Sequence, residues 1–115
     1  MLAKADLFPD VLASLAEQAK ALGHPARLAI VQHLAARDTC ICGDLVEVLP
    51  LAQATVSQHL KVLKASGLVQ GEVDGPRSCY CLDYDALERF HESFDAFFRT
   101  ALAGAPESTS DQDCC

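Results

Sequence analysis

Hydrophobic residues recur every three or four positions over two N-terminal stretches, the spacing of one face of a helix. The first stretch runs from residue 10 to residue 22, between Pro9 and Gly23. The second begins at Pro25, a residue suited to the first turn of a helix, and continues to about Ala36. The side chains expected to face inward from this second helix are Leu28, Ile30, Val31 and Leu34.

The centre of the chain interrupts this spacing and then resumes it. Residues 39–42 are β-branched and rich in cysteine, which predicts a brief strand. We expect a short helix over 44–49, ended by Pro50, and a longer one over 53–66, ended by Gly67. The longer helix is expected to bury Val56, Leu60 and Leu63.

The C-terminal half predicts a hairpin followed by a helix. Two alternating runs, 68–73 and 78–82, flank Asp74 and Gly75, and Asp-Gly is a strong signal for a tight turn between strands. A helix over about 84–102 follows, and its phenylalanine-rich face is wider than one small core requires. We therefore expect this helix to form a dimer interface with the first helix, although a purely intramolecular core is the alternative.

The order of these elements predicts a mainly α fold with a small β-hairpin, a winged helix-turn-helix that acts as a homodimer. Residues 1–103 would form the DNA-binding and dimerisation domain. Residues 104–115 are polar and would form a flexible tail ending in the adjacent pair Cys114 and Cys115.

Three segments carry a family resemblance. Residues 21–28 (ALGHPARL), 55–63 (TVSQHLKVL) and 67–69 (GLV) resemble the ArsR/SmtB family of metal-responsive repressors, and the similarity extends over roughly residues 12–100. The resemblance implies a homodimer that leaves its operator when an inducer binds. Many relatives carry an Asp-x-His and His-x-x-Glu metal site on the last helix. This chain lacks that pattern there, so we expect no zinc site among Asp85, Glu88, His91, Glu92 and Asp95.

The helix over 53–66 has the composition of a recognition helix. Short polar side chains near its start suit base edges in the major groove, and Gln58 can pair with adenine. The lysines further along would reach phosphates, and Arg77 at the hairpin tip would reach the adjacent minor groove or backbone. A capped surface helix is the alternative interpretation of its Thr and Ser residues. The residues expected to contact double-stranded operator DNA are Gln53, Thr55, Ser57, Gln58, Lys61, Lys64 and Arg77.

The net charge of −7 is unusual for a DNA-binding protein, because cationic side chains provide most non-specific affinity. The acidic residues are absent, however, from 52–66, which contains two lysines and one histidine. A local basic face therefore remains compatible with an acidic chain. A winged helix that binds proteins instead of DNA stays open as an alternative.

Six cysteines occur as three close pairs, at 40 and 42, 79 and 81, and 114 and 115. No signal peptide or membrane-spanning run precedes them, so we expect a cytoplasmic, reducing setting without a membrane partner. Residues two apart on a strand share a face. If Tyr80 and Leu82 turn inward, Cys79 and Cys81 turn outward, and pairing of the first strand with this one would gather four thiols.

Such a patch suits a thiophilic ion: arsenite or antimonite bound by three thiolates, or cadmium or zinc bound by four. Related family members carry a Cys-x-Cys near the start of the helix that corresponds to 44–49 and use it to bind arsenic or heavy metals. In this chain Gly43 stands between Cys42 and that helix, so the match is offset by one residue. Disulfide or sulfur-species sensing, a structural zinc and inert cysteines remain alternatives. A thiol enzyme is disfavoured because the chain has no Cys-x-x-Cys or phosphate-binding loop. The candidate ligands are Cys40, Cys42, Cys79, Cys81, Cys114 and Cys115.

Overall fold

The structure of the chain, a computed structural model, describes residues 7–36, 41–42, 49–72 and 79–106, with 41–42 described as backbone only. Several sequence predictions therefore fall outside the described residues. These are residues 44–48 of the helix predicted over 44–49, the hairpin turn with Arg77, the side chains of Cys40 and Cys42, and the tail beyond Pro106 with Cys114 and Cys115.

The described elements confirm a mainly helical winged helix-turn-helix with a β-hairpin, and the homodimer remains a prediction. Each predicted helix and strand that lies within the described residues is present, and its ends lie within two residues of the expected positions. The first strand is the exception, because only two of its residues are described. The elements are α1 (Asp10–Leu22), α2 (Pro25–Ala35), β1 (Ile41–Cys42), α3 (Gln53–Ala65), β2 (Val69–Glu72), β3 (Cys79–Leu82) and α4 (Tyr84–Ala103).

Local chemistry sets the helix ends. The His24 ring nitrogen Nδ1 accepts a hydrogen bond from the Ala26 N–H (3.0 Å) and caps α2, whose first residue is Pro25. Asp83 caps α4 in the same way by accepting from Ala86 N–H at 3.0 Å. After α3, Gly67 adopts a φ of +87°, a left-handed conformation that glycine enters without steric cost.

The three strands form one antiparallel sheet in the order β1-β3-β2. On one side of β3, Ile41 pairs with Tyr80 and Cys42 with Cys79. On the other side, β2 pairs with β3 from Val69 opposite Leu82 to Glu72 opposite Cys79. The expected pairing of the first short strand with the second strand of the hairpin is therefore confirmed.

The main core lies between α2, α3 and the inner face of the sheet. Its buried residues are Ala21, Ile30, Leu34, Val56, Leu60, Leu63, Val69, Tyr80 and Leu82. A second cluster of Leu15, Leu68 and Phe90 joins α1 to α4. One predicted core residue is wrong: the Leu28 side chain is 50% exposed. It precedes the fully buried Ile30 by two positions, and two helical positions differ by about 200°.

The paired helices α1 and α4 leave a large apolar surface uncovered within the described chain. We call it the α1–α4 face and define it by the exposed or largely exposed side chains Val11, Leu12, Phe97, Phe98 and Leu102. A groove of about 370 Å³ between the two helices is lined by the first three of these. Within the described residues, no helix combines the length and apolar character required to cross a membrane.

Candidate nucleic-acid interface and thiol face

The helix α3 presents a polar surface opposite its buried stripe of Val56, Leu60 and Leu63. Burial of this stripe fixes which side of the helix remains available to a ligand. The predicted contact residues on α3 that are exposed are Gln53, Thr55, Gln58, Lys61 and Lys64, whereas Ser57 is half-buried. These six predicted contacts are thus gathered on one helix, and the seventh, Arg77, lies outside the described residues.

The start of α3 is not capped by a side chain. Its N-cap residue is Ala52, which has no capping group, and Thr55 lies three positions further into the helix. The alternative that the Thr and Ser residues serve as caps is therefore wrong. The described part of α3 also contains no acidic side chain, so its outer surface is neutral to basic.

A cluster of basic side chains adjoins one flank of α3. The rings of His24 and His59 lie 4.5 Å apart between centroids. The Arg27 guanidinium donates from Nη1 to His59 Nδ1 (3.3 Å) and from Nε to the Ala21 carbonyl (2.6 Å). Burial, followed by the nearby charges of His24 and Arg27, lowers the pKa of His59 below its ordinary value.

Sequence reasoning did not assemble this cluster. His59 was distinguishable only as a residue beside the apolar stripe of α3, while His24 and Arg27 belong to the junction of α1 and α2. The available signal was the Gly-His-Pro-Ala-Arg segment, in which the histidine caps a helix and the arginine follows one turn later.

The alternation predicted for β3 is confirmed. Tyr80 and Leu82 are 1% and 2% exposed, whereas Cys79 and Cys81 are half-buried on the opposite side of the strand. Because directly opposite residues of an antiparallel ladder share a face, the neighbours of these cysteines on β2 extend the same surface. We define the thiol face as the sheet surface that carries Gln70, Glu72, Cys79 and Cys81.

The thiol face has two chemical features besides its cysteines. Gln70 Nε2 donates a weak hydrogen bond to Cys81 Sγ at 3.7 Å, and Glu72 is exposed opposite Cys79 in the ladder. Cys79 and Cys81 are both disulfide-bonded, so these sulfurs are oxidised in the structure.

Four of the six predicted ligands have side chains outside the described residues. Among the side chains that are described, no three His, Cys, Asp or Glu residues come together in a metal-binding arrangement. The two described cysteines alone provide too few sulfurs for a trigonal or tetrahedral site. The six-cysteine ligand set therefore stays a prediction.

Similarity to known proteins agrees with the fold. A family model described as a helix-turn-helix domain matches residues 22–72. The repressor SmtB of Mycobacterium tuberculosis is 42% identical over 73 residues, which are 64% of this chain and 53% of SmtB, so the match spans about half of that relative. The arsenical resistance operon repressor of Bacillus subtilis is 32% identical over 108 residues, covering 92% of this chain and 94% of the relative.

A solved structure shows the same fold at lower sequence identity. An ArsR-like transcriptional regulator from Rhodococcus sp. RHA1 superposes with a TM-score of 0.62 at 22% identity, covering 87% of this chain and all of that one. This likeness shows the fold, and the family model and the relatives above confirm the expectation of a regulator over a thiol enzyme. The chain belongs to the ArsR/SmtB family of helix-turn-helix transcriptional regulators.

Proposed function

We propose that this protein is a transcriptional repressor that binds operator DNA as a homodimer and releases it when a thiophilic ion binds its cysteine thiolates. Arsenite or antimonite is the preferred inducer, with cadmium and zinc as further ligands of the same site. The observation that carries the proposal is the register of the sheet, in which Cys42 lies opposite Cys79 and Cys79 shares a face with Cys81.

The register supports a site of three or four sulfurs. Opposite residues of an antiparallel pair place their Cβ atoms about 4.5–5.5 Å apart, close enough for two thiolates to share one ion. In this antiparallel pairing, each step back along β1 matches one step forward along β3. Because Ile41 lies opposite Tyr80, the same register continued by one residue would set Cys40 opposite Cys81. Trivalent arsenic needs three such thiolates, and a tetrahedral cadmium or zinc needs four.

Two observations favour arsenite as the first inducer to test. A relative that aligns over nearly the whole chain is an arsenical resistance operon repressor. The residues next to the cysteines on β2 are an amide and a single carboxylate, so sulfur dominates the described donors of this face. Soft thiolate donors favour soft ions over magnesium or calcium. Cys114 and Cys115 would supply additional thiolates from the tail.

The connection between α3 and the sheet gives ligand binding a route to the DNA-binding surface. Only three residues separate the end of α3 from β2, and Leu68 N–H donates to the Leu63 carbonyl at 3.1 Å. Leu68 is fully buried, so the connection is held by packing as well. A ligand that draws β1 toward β3 would therefore shift the sheet against the recognition helix.

The α1–α4 face supports the homodimer. Several large apolar side chains are exposed together on it, including Phe98 at 52% and Leu102 at 67%. Covering such a surface in a second copy would remove it from water, and a two-fold dimer would place two copies of α3 at a fixed spacing on an operator.

The decisive experiment uses labelled DNA from the region upstream of the chain's own gene and the fully reduced protein. Fluorescence anisotropy of the DNA measures its binding and its release. Arsenite, antimonite, cadmium and zinc are titrated separately. The wild-type protein should bind with submicromolar affinity and be released by arsenite or antimonite at the lowest concentrations. Cys40→Ser and Cys79→Ser should bind DNA equally well and lose the response.

A truncation after Pro106 is the matched control for the terminal cysteines. Retention of the full response would restrict the site to the sheet, and its loss would assign sensing to Cys114 and Cys115. A response to every ion in both serine variants would contradict a site at the sheet. Absence of DNA binding by the reduced wild-type protein would contradict the repressor function itself.

A second candidate, redox sensing by the same repressor, is favoured by the disulfide-bonded state of Cys79 and Cys81. Two-electron oxidation of two thiols to a disulfide by a peroxide or a disulfide reagent would then be the inducing event. In the same anisotropy assay, oxidised glutathione should release DNA from the wild-type protein, and dithiothreitol should restore binding. Release by ions but not by this oxidant would exclude redox sensing.

A further inference from the structure

The three side chains of His24, Arg27 and His59 meet at the edge of the recognition helix, although His59 is 32 positions from Arg27 in the sequence. His59 lies one helical turn beyond Thr55 on α3, at the boundary between the buried stripe and the polar surface. His24 and Arg27 reach it from the start of α2. We call these three residues the basic corner.

The hydrogen bonds of the basic corner define which nitrogen of each ring is the acceptor. A guanidinium only donates, so His59 Nδ1 must accept from Arg27 Nη1 and carries no proton there. His24 Nδ1 likewise accepts from the Ala26 N–H. The His59 imidazole is therefore neutral in the free protein, with its single proton on Nε2.

The basic corner has no acidic partner within the described part of the chain. The charged or titratable groups that act on His59 from the neighbouring elements are His24 and Arg27, and both disfavour its protonation. Arg27 is bound to a neutral ring and a backbone carbonyl instead of a carboxylate. A positive group without a counter-ion beside a helix of neutral to basic surface suits an anionic ligand.

The position of the corner selects the anion. When a recognition helix lies in the major groove, its outer surface meets base edges and its flanks lie near the phosphates that border the groove. His59 lies on such a flank, next to the exposed residue Thr55. A backbone phosphate of the bound DNA is therefore the anion that docking of α3 would bring to this corner.

We infer that His24, Arg27 and His59 bind one backbone phosphate of the operator and that His59 takes up a proton from solvent as they do so. This inference rests on the proposed DNA-binding function. A phosphate oxygen would accept from Arg27 Nη1 and from the newly protonated Nδ1 of His59, replacing the hydrogen bond between these two side chains. His24 would retain its cap on α2 and offer Nε2–H.

Proton uptake makes DNA affinity depend on pH in a defined direction. Burial and the two basic neighbours lower the pKa of His59 in the free protein, whereas a bound phosphate raises it. Between these two pKa values, each bound DNA site takes up as much as one proton. Affinity should then fall as pH rises, by as much as about tenfold per pH unit.

The test measures operator affinity of the reduced, ion-free protein from pH 5.5 to 8.5 at constant ionic strength. The variants are His59→Gln, which cannot be protonated, and Lys61→Gln as the matched control on the same helix. Wild type should lose affinity with rising pH, and Lys61→Gln should bind more weakly with the same pH dependence. His59→Gln should lose most of that dependence, and at pH 6 its logarithmic salt slope should be smaller by about one.

His24→Asn provides a second variant that keeps an acceptor for the Ala26 N–H. Removal of the ring takes away one influence that lowers the pKa of His59, so the pH range over which operator affinity falls should move upward. A pH-independent wild type, or His59→Gln with an unchanged pH profile and salt slope, would overturn the phosphate site while leaving the repressor function intact. Absence of operator binding by wild type at every pH would overturn both.

Discussion

Gly71 lies where the backbones of β2 and β3 pack closely against each other. Its φ of +106° is one that residues with a side chain rarely adopt, and a Cβ there would overlap the Cys79 carbonyl oxygen and approach Tyr80 Cα to 3.0 Å. The sequence Val-Gln-Gly-Glu marks a strand but does not reveal this contact, because the opposing backbone belongs to residues eight or nine positions later.

Gly71→Ala should therefore lower the free energy of unfolding by about 1–3 kcal/mol, from backbone strain and displacement of β3. Urea denaturation measures this change. Gly104→Ala is the matched control, since Gly104 has a φ of −86° and its nearest contact would be 3.6 Å away, and we expect a change within about 0.5 kcal/mol. Equal stability of the two variants would contradict a required glycine at position 71.

His59 should also make folding stability depend on pH. Its pKa is lowered in the folded protein, whereas in the unfolded chain it returns to about 6.5. The unfolded state therefore binds more protons in the window between the lowered pKa and 6.5, and stability must fall as pH decreases through that window.

Comparison of urea denaturation at pH 7.5 and pH 5.5 tests this sign. Wild type should lose more stability on acidification than His59→Gln, which has no proton to gain. The two proteins losing the same amount would show that the ring is not held neutral by folding. The same ring thus opposes folding at low pH while, in the proposed phosphate site, it would favour DNA binding there.

At the scale of elements, alternation and helical spacing predicted most of the fold. The alternation of β3 was predictable because Tyr80 and Leu82 are its larger apolar residues, and their burial fixed where Cys79 and Cys81 lie. The error at Leu28 arose because the prediction spaced the inward residues by three. Three residues turn about 300° around the helix axis, so each successive side chain points about 60° away from the previous one. The buried pair of α2 instead follows the spacing of four, at Ile30 and Leu34.

The parts of the candidate sites that escaped prediction depend on contacts between elements. The Arg27–His59 hydrogen bond joins residues 32 positions apart, and no local pattern signals it. The hydrogen bond from Gln70 to Cys81 likewise depends on the register between two strands. Residue type and spacing predicted α3 as the recognition helix, whereas the side chains that adjoin it, His24 and Arg27, became apparent only from the tertiary structure.

At the scale of the whole molecule, the α1–α4 face gives a test of assembly. Phe98→Glu places a charge on this face, and we expect the variant to sediment as a monomer at concentrations where wild type is a dimer, since burying an unpaired carboxylate is costly. Analytical ultracentrifugation measures the change.

Leu28→Glu is the matched control for this substitution, because Leu28 has a similar exposure but belongs to α2, which contributes no side chain to the α1–α4 face as defined above. It should remain a dimer. Monomeric wild type, or loss of the dimer in both variants, would contradict assembly through α1 and α4. Operator affinity of Phe98→Glu should fall together with the dimer, since each monomer retains only one copy of α3.

The alternation of β3 also gives the molecule an internal optical reporter. The chain contains two tyrosines and no tryptophan, so its tyrosine fluorescence comes from Tyr80 and Tyr84 and no indole emission masks it. Tyr80 is shielded from solvent directly between Cys79 and Cys81, while Tyr84 is 55% exposed. A heavy ion bound to the sulfur atoms on the opposite side of β3 would quench the fluorescence of Tyr80. A quencher dissolved in the solvent would quench Tyr84 instead, so ion binding could be followed without an attached dye.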